Sequence, residues 1–518
     1  MTANRRRHRH RGVIAVSVAG LMFAGLVLAS CSSDDDGDAR SESTANSTSA
    51  TTTAPTTTTI SRPPGPAADL STELGDGELA FLGEADQPDL APLGYAQREY
   101  VANGSATSYE ATAAMTGDGR WTFAPDASAA YATRVVVRAP TDADAFSGTV
   151  VVEWLNVSGG VDANPDWASL SEEIIRAGHA WVGVSAQRIG VEGGPVLVAI
   201  EGLPGADDQG KGLKAIDPER YGALEHPGDG YSFDIFTQVA RAVRSGEGLG
   251  GLLPQRLIAA GESQSAGALV SYINGVHPLV QMFDAYFVHS RFAAGLPLVA
   301  DGGSADIAGA IGGAPTIFRT DLDVPILDLQ TEGDVTGILS SYSVRQPDTD
   351  RFRLWEVAGT AHADAHLVGA TAEFIDCGVA INDGPAHIVA KAALRALITW
   401  LDTGTPPPSA PRLEIAPGAT PAVGRDADGI ALGGIRTPPV DVPVATLSGA
   451  AGPDPSTICL LLGSTTPFSA ERLAELYASS EDYTARYEAA VDAAIAAGFA
   501  LAEDRDALLG FADPSGIS

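Results

Sequence analysis

The sequence predicts an α/β fold in which a mainly parallel sheet is covered by helices on both faces. Short apolar runs, rich in β-branched residues, recur along the chain and indicate strands that are buried on both sides. Longer amphipathic or alanine-rich stretches separate them, as crossover helices do in a parallel sheet. The expected strands are residues 131–138, 149–155, 180–185, 256–260, 285–290, 324–330 and 352–358.

Helices are expected between or after these strands, at residues 168–177, 233–244 and 266–273. A longer helix is predicted for residues 385–404, because Gly404 is a typical helix stop and three prolines follow it. The chain after about Pro406 is less regular and ends in helices rich in Ala, Glu and Asp.

The composition is that of a large and strongly acidic globular protein. The 518 residues include 32 Lys and Arg against 65 Asp and Glu, which gives a net charge of −33. Such a charge repels nucleic acid and anionic lipid headgroups, so we expect no nucleic-acid partner. It does not identify a substrate.

The N-terminus has the features of an export signal. Five Arg between positions 5 and 11 precede an apolar stretch, Val13 to Leu28, that is short for a membrane span. The stretch ends in Leu-Ala-Ser-Cys31, which resembles a bacterial lipobox, in which the Cys is lipidated and becomes the mature N-terminus. We therefore expect a signal peptide at residues 1–30 and an exported lipoprotein on the outer side of the cytoplasmic membrane. A plain signal peptide or a signal anchor is the alternative.

A low-complexity segment follows Cys31. Residues 31–68 contain three consecutive Asp and then repeats of Ser, Thr and Pro. Such a segment cannot bury enough apolar surface to offset its ordering entropy, so we expect a disordered tether. The composition then becomes globular, and residues 69–518 are expected to form a single domain.

The strongest chemical motif is Gly261-Glu-Ser263-Gln-Ser265, directly after a predicted strand and before a predicted helix. It is a G-x-S-x-S version of the nucleophile elbow, a sharp turn that exposes the Ser hydroxyl above the sheet. Small residues two before and two after the Ser let strand and helix approach closely. Ser265 is larger than the usual Gly, a mild departure from the pattern.

A nucleophilic Ser needs a base and an acid, and both follow in the chain order of an α/β-hydrolase. His362 comes just after the predicted strand 352–358, and Asp334 follows the predicted strand 324–330. Glu332 is the alternative acid. An oxyanion hole needs two N–H donors, for which we expect the backbone of Gln264 and of Asn156, with Val157 as the alternative to Asn156.

A metal site is a less favoured interpretation of the same region. His362, Asp364 and His366 have a spacing that suits metal ligands, but no third His or Cys lies nearby in the sequence. We therefore expect neither a metal nor an organic cofactor.

Several segments together resemble a bacterial family of α/β-hydrolase domains. They are VVVEWLNVSGG, RYGALEHPGDGYSFDIF, GESQSAG, WEVAGTAHAD and, near the C-terminus, GGIRTPPVDVP. The resemblance runs from about Leu70 to the end, so it implies that the C-terminal region belongs to the same unit. It implies the fold and a hydrolase with a Ser, a His and an acid, but no particular substrate.

These observations lead to an expected function. We predict a serine hydrolase that cleaves an ester or related acyl bond of a small molecule through an acyl-enzyme. A serine peptidase or amidase on the same fold, or a non-catalytic surface binding protein, are the alternatives. The sequence does not indicate the oligomeric state.

The remaining cysteines are expected to pair. Of the three Cys, Cys31 belongs to the lipobox, which leaves Cys377 and Cys459 in a compartment that permits disulfides. We predict a Cys377–Cys459 bridge that ties the C-terminal region to the hydrolase core; two buried free thiols are the alternative.

Overall fold

The computed structural model describes residues 62–75, 80–82, 88–199, 206–300, 302–418, 420–450, 452–454 and 456–517. The predicted signal peptide (residues 1–30), Cys31 and the predicted tether as far as residue 61 lie outside these ranges. No helix in the described ranges is long and apolar enough to cross a bilayer.

Within the described residues, nine strands form one sheet in the order β1-β2-β3-β5-β4-β6-β7-β8-β9. The strands β5, β4, β6, β7, β8 and β9 pair in parallel, and β1, β2 and β3 form an antiparallel edge. Their bounds are β1 Asp69–Leu74, β2 Tyr95–Ala111, β3 Phe123–Pro140, β4 Thr149–Trp154, β5 Ala180–Val184, β6 Arg256–Glu262, β7 Ala285–His289, β8 Ile326–Thr331 and β9 Phe352–Val357.

The order of the parallel strands creates the place for a site. The chain runs from β4 to β5 on one side, and then crosses to β6 on the other side of β4. The connections after β4 and β6 therefore leave the sheet toward opposite faces. A crevice opens between them at the carboxyl ends of the two strands, where open α/β sheets bind their ligands. All six residues of β4 are buried, as expected of a strand covered on both faces.

Helices cover both faces of the sheet. The side chains of Phe236 in α5 and Leu269 in α6 pack in one core with Val150 and Val152 of β4. On the other face, α1 and α11 pack in a second core that includes Val151. The helices before residue 405 are α1 Pro165–Arg176, α2 Arg188–Glu192, α3 Leu213–Ile216, α4 Pro218–Tyr221, α5 Ser232–Arg244, α6 Gln264–Ser271, α7 His277–Val280, α8 Ile307–Ile311, α9 Glu332–Val335, α10 Ala365–Val368 and α11 Ala386–Thr403.

The sequence analysis missed the long antiparallel edge. It predicted only residues 131–138 of β3, and neither β1 nor β2. The missed residues are rich in Ala, Gly, Ser and Thr, and many are exposed, so they lack the apolar run that marks the central strands. Their strand conformation comes from the pairing of β2 with β3, which extends from Tyr95 opposite Pro140 to Ala111 opposite Phe123.

The C-terminal region packs against the sheet and its helices. Two small antiparallel sheets, β10 with β11 and β12 with β13, precede a helical cluster that shares a core with Ile388 of α11. Arg176 of α1 and Lys391 of α11 both bind the carboxylate of Asp504. The bounds are β10 Ile415–Ala416, β11 Ala422–Val423, α12 Pro438–Asp441, β12 Ala445–Ser448, α13 Thr457–Leu461, β13 Ser464–Pro467, α14 Ala470–Leu476, α15 Ser480–Ala496 and α16 Arg505–Leu509.

Cys377 and Cys459 form a disulfide, the pairing that the sequence analysis predicted. Their Cα atoms are 5.5 Å apart, and both residues are buried. The bond joins the segment after α10 to α13, across 82 residues of chain.

Candidate active site

Ser263 occupies the sharp turn between β6 and α6. Its backbone angles are φ 60° and ψ −114°, a conformation that costs a residue with a Cβ about 1–3 kcal/mol. Hydrogen bonds hold the turn on both sides: Ser263 N–H donates to the carbonyl of His289, and Gly267 N–H donates to the carbonyl of Ser263. The turn directs the Ser263 hydroxyl toward His362.

The small residues around Ser263 have distinct roles. A Cβ on Gly261 would lie 3.1 Å from atoms of Leu269 and from the backbone of Ser265, so a larger residue would require Leu269 or the start of α6 to shift. The Ser265 hydroxyl donates to the carbonyl of Glu262 at 2.8 Å. The departure from the usual Gly therefore adds a hydrogen bond within the turn.

His362 joins Ser263 to Asp334. Its Nε2 lies 2.8 Å from the Ser263 Oγ, and its Nδ1 lies 2.6 Å from the Asp334 Oδ1. An ionised carboxylate only accepts hydrogen bonds, so Nδ1–H donates to Asp334 and Nε2 accepts from the Ser263 hydroxyl when the imidazole is neutral. The structure thus brings together the three residues that the sequence analysis singled out.

Asp334 is held as a carboxylate. Burial raises the pKa of Asp334, but the charge and hydrogen bond of His362 and the Thr331 N–H, 2.6 Å from Oδ2, outweigh it and leave the pKa below its usual value. Burial lowers the pKa of His362, whereas Glu262 and then Asp334 raise it, with a net result of about 9. The two residues therefore favour an ion pair.

Glu332, the alternative acid, has other partners. Its carboxylate accepts hydrogen bonds from Gly359 N–H at 2.8 Å and from Gly449 N–H at 3.0 Å, and it pairs with Arg425. These contacts tie α9 to the loop before His362 and to the C-terminal region. The geometry assigns the contact with His362 to Asp334 and gives Glu332 a bracing role.

The backbone N–H groups predicted as the second oxyanion donor, those of Asn156 and Val157, have other acceptors in this structure. The N–H of Asn156 donates to the carbonyl of Ala163 at 2.9 Å, and the N–H of the alternative, Val157, donates to the Gln264 side chain at 3.1 Å. The loop after β4 closes on itself, because Asn156 and Ala163 form an isolated β-bridge. The Gln264 N–H fits the expectation better, because it lies in the first turn of α6, where a helix leaves N–H groups without helical acceptors.

Asn156 instead braces the site through its side chain. Its Nδ2 donates to the carbonyl of Glu262 at 3.1 Å, and its Oδ1 accepts from Ser158 N–H at 2.8 Å. The end of β4 is thereby fixed to the residue before Ser263.

The sequence analysis passed over Glu262. Its side chain is almost fully buried, and its Oε1 lies 3.4 Å from His362 Nε2. The signal was present, since an ionisable residue immediately before the nucleophile must lie close to whatever contacts that nucleophile. The neighbouring residues that bury the carboxylate could not be identified from the sequence.

The two neighbours of His362 in the suspected metal motif diverge in space. Asp364 caps α10 by accepting from Leu367 N–H at 2.9 Å. The ring of His366 stacks on that of His387, with centroids 3.7 Å apart, and its Nε2 is 3.2 Å from the Ala168 carbonyl. The three side chains do not converge on one point, and no cluster of three or more ligand residues occurs within the described ranges.

A pocket opens above Ser263 and His362. It encloses about 830 Å³, counted out to its open mouth. Polar contributions come from Asn156, Ser158, Asn164, Glu262 and Thr371. The larger apolar side chains that line it are Leu82, Val198, Leu367, Val368, Ile458 and Leu461.

Comparison with known proteins identifies the family. The model of a family described as alpha/beta hydrolase domain matches residues 55–510, so the chain belongs to that family. No curated protein matches the chain significantly.

Solved structures with a similar fold have little sequence in common with the chain. An α/β serine hydrolase without a lid from Xanthomonas campestris is 13% identical, with a TM-score of 0.24, over 49% of this chain and 83% of its own. An α/β serine hydrolase homologue from Coxiella burnetii is 15% identical (TM-score 0.23, 44% and 82%). An esterase from Rhizomucor miehei is 10% identical (TM-score 0.30, 57% and 85%).

The two candidate acids are distinguished by paired substitutions. Asp334→Asn should lower kcat by orders of magnitude, because an amide cannot stabilise imidazolium; in a serine protease the same change costs about 10⁴-fold. Glu332→Gln should keep most of the activity of the folded enzyme and lower the free energy of unfolding by about 1–3 kcal/mol, because its buried contacts are weakened. Steady-state ester hydrolysis and urea unfolding measure both effects. The reverse ranking of kcat would transfer the role of the acid to Glu332.

Proposed function

We propose that this member of the α/β-hydrolase domain family is a serine hydrolase that cleaves an ester or related acyl bond. The observation that carries the proposal is the hydrogen-bonded line from Ser263 through His362 to Asp334, at a strained turn that opens into a pocket. Such a line is the arrangement that activates a serine for attack on a carbonyl carbon.

The proposed reaction has two halves. The Ser263 Oγ attacks the acyl carbon while His362 Nε2 takes its proton, and the Gln264 N–H supports the negative charge that develops on the carbonyl oxygen. The tetrahedral intermediate expels the alcohol, which receives the proton from His362, and an acyl-enzyme remains. Water then attacks the acyl-enzyme with His362 as base and releases the acid.

A fluorophosphonate probe tests the proposal, because only an activated serine is labelled. The wild-type protein should be labelled on Ser263 and should hydrolyse p-nitrophenyl acetate, and Ser263→Ala should abolish both. Ser265→Ala is the control: it removes one hydrogen bond within the turn, worth about 1 kcal/mol, and should retain labelling. Labelling of the Ser263→Ala protein would contradict the assignment. An unlabelled wild-type protein would favour a binding module, and panels of esters and peptides distinguish an esterase from a peptidase.

We also propose that the enzyme is lipid-anchored through Cys31 outside the cytoplasmic membrane, on the strength of the lipobox and the polar segment after it. Cys31→Ala should remove the site of lipidation and release the protein into the soluble fraction or leave it unprocessed. Fractionation and the mass of the N-terminal peptide measure the outcome. Unchanged processing and membrane retention would favour a signal anchor.

A further inference from the structure

The pocket above Ser263 has apolar walls on two sides. Leu82 and Val198 form one wall and are held by backbone hydrogen bonds to the loop after β4: Leu82 N–H to the Asp162 carbonyl, and Val198 N–H to the Ser158 carbonyl, both at 2.9 Å. Leu367, Val368, Ile458 and Leu461 form a second apolar wall.

Leu461 of the second wall belongs to the larger core of the sheet, whereas Leu367, Val368 and Ile458 belong to a small separate apolar cluster. Val368, Cys377, Cys459 and Leu462 form its buried centre. The Cys377–Cys459 disulfide lies next to Ile458, and the Ala363 N–H donates to the Leu461 carbonyl at 3.1 Å. The wall is therefore fixed in place before a substrate binds, which lowers the entropy lost on binding.

The charge of the pocket lining limits which substrates can bind. Among the described residues that line the pocket there is no Lys or Arg, and Glu262 is the acidic residue. The imidazolium of His362 is already paired with Asp334 and lies beside Glu262. A carboxylate on the substrate would therefore have to leave water without a free counter-charge, which is costly in such a site.

We infer, on the basis of the proposed function, that the pocket is a subsite for the aliphatic group of a neutral ester, bounded by the disulfide-linked wall. Each additional methylene that the walls cover should raise kcat/KM about four-fold until the subsite is filled. A carboxylate at the end of the same chain should abolish that gain.

The test compares p-nitrophenyl acetate, butyrate, valerate and octanoate with the p-nitrophenyl monoester of succinic acid. We expect kcat/KM to rise from acetate to valerate. The kcat/KM of the succinate monoester should be at least ten-fold lower than that of the valerate ester. Ile458→Trp fills the pocket from a half-buried position and should lower kcat/KM for valerate and octanoate relative to kcat/KM for acetate. Leu253→Trp, at a position that is 69% exposed and outside the pocket lining, is the matched control and should keep the wild-type ratios.

The possible failures are distinct. A flat chain-length profile, a preference for the succinate monoester, or an Ile458→Trp protein with wild-type ratios would overturn the subsite while leaving the serine hydrolase intact. Absence of both acetate hydrolysis and fluorophosphonate labelling would overturn the proposed function, and the subsite with it.

A different observation concerns Glu262. Its Oε1 lies 3.4 Å from His362 Nε2, the atom that faces the Ser263 hydroxyl, so two carboxylates flank one imidazole. The other ionisable groups around this pair are Asp334 on α9, His289 on β7, Asp166 on α1, bonded to His289 at 3.0 Å, and Asp364 at the start of α10.

We propose that Glu262 is a positioning residue that stabilises the imidazolium of His362 and sets the pH above which His362 can accept the serine proton. The proposal rests on the proposed function, because it concerns the base of that reaction. A carboxylate at this distance favours the protonated imidazole, both in the resting enzyme and in the transition state. It therefore assists proton transfer once His362 is neutral, and it delays the appearance of neutral His362 as the pH rises.

The pKa shift of His362 has the sign that this role requires at any pH at which Glu262 is ionised. Burial raises the pKa of Glu262 to about 7, although His362 and His289 oppose the shift. The charge of Glu262 raises the pKa of His362 more than the charge of Asp334 does, and the hydrogen bond to Asp334 raises it further. Removal of the Glu262 charge lowers the pKa of His362, so the acid limb of kcat/KM, which reports the base in the free enzyme, moves to lower pH.

The experiment is the pH profile of p-nitrophenyl butyrate hydrolysis, read at the isosbestic wavelength of p-nitrophenol. In Glu262→Gln the acid limb should move down by about 1–3 pH units, the usual effect of one nearby charge, and the plateau at high pH should fall. Glu262→Asp keeps a carboxylate and should restore part of the wild-type position of the acid limb and part of the plateau. Asp364→Asn, which neutralises a nearby buried acid that does not contact His362, is the matched control and should leave the limb in place.

An acid limb that stays in place in Glu262→Gln, whatever happens to the plateau, would overturn the role of Glu262 and reduce it to packing. Retained fluorophosphonate labelling of that variant would show that the proposed function survives. Loss of labelling in the wild-type protein would instead overturn the proposed function itself.

Discussion

The backbone of Ser263 adopts a conformation that residues with a Cβ avoid, and the site depends on keeping it there. The turn is held by bonds from three directions: from β7 through the His289 carbonyl, from the end of β4 through the Asn156 side chain, and from α6 through Ser265. None of these bonds is strong alone. Together these bonds hold the backbone of Ser263 in place, so the stability of the surrounding sheet offsets the free-energy cost of the strained turn.

The two acids on the single turn of α9 have different roles, one in contact with His362 and the other in holding nearby loops in place. Asp334 and Glu332 are both buried, yet one accepts from an imidazole and the other from two backbone N–H groups and an arginine. Each charge is satisfied by its own set of partners, as buried charges must be. The contact of Glu332 with the Gly449 N–H ties the C-terminal region to the loop that carries His362.

The sequence was informative where one local rule sufficed. Continuous apolar runs identified the central strands, and the order of Ser263, Asp334 and His362 followed from their places after those strands. Other features depend on partners distant in the chain. The strands β1 and β2 exist by pairing rather than by composition, the N–H of Asn156 is consumed by Ala163 across a loop, and Glu262 acquires its surroundings from β7, α1 and α9.

The ion pairs of Asp504 have a consequence for the order of folding. Lys391, a fully buried lysine of α11, and Arg176 of α1 both pair with this carboxylate, which follows them by 113 and 328 residues, in addition to Glu172 and Glu173 of α1. A ribosome makes the chain from its N-terminus, so α1 and α11 lack this counter-charge until residue 504 has been made. A nascent chain stalled before residue 504 would therefore hold α1 and α11 together less firmly than the finished chain does.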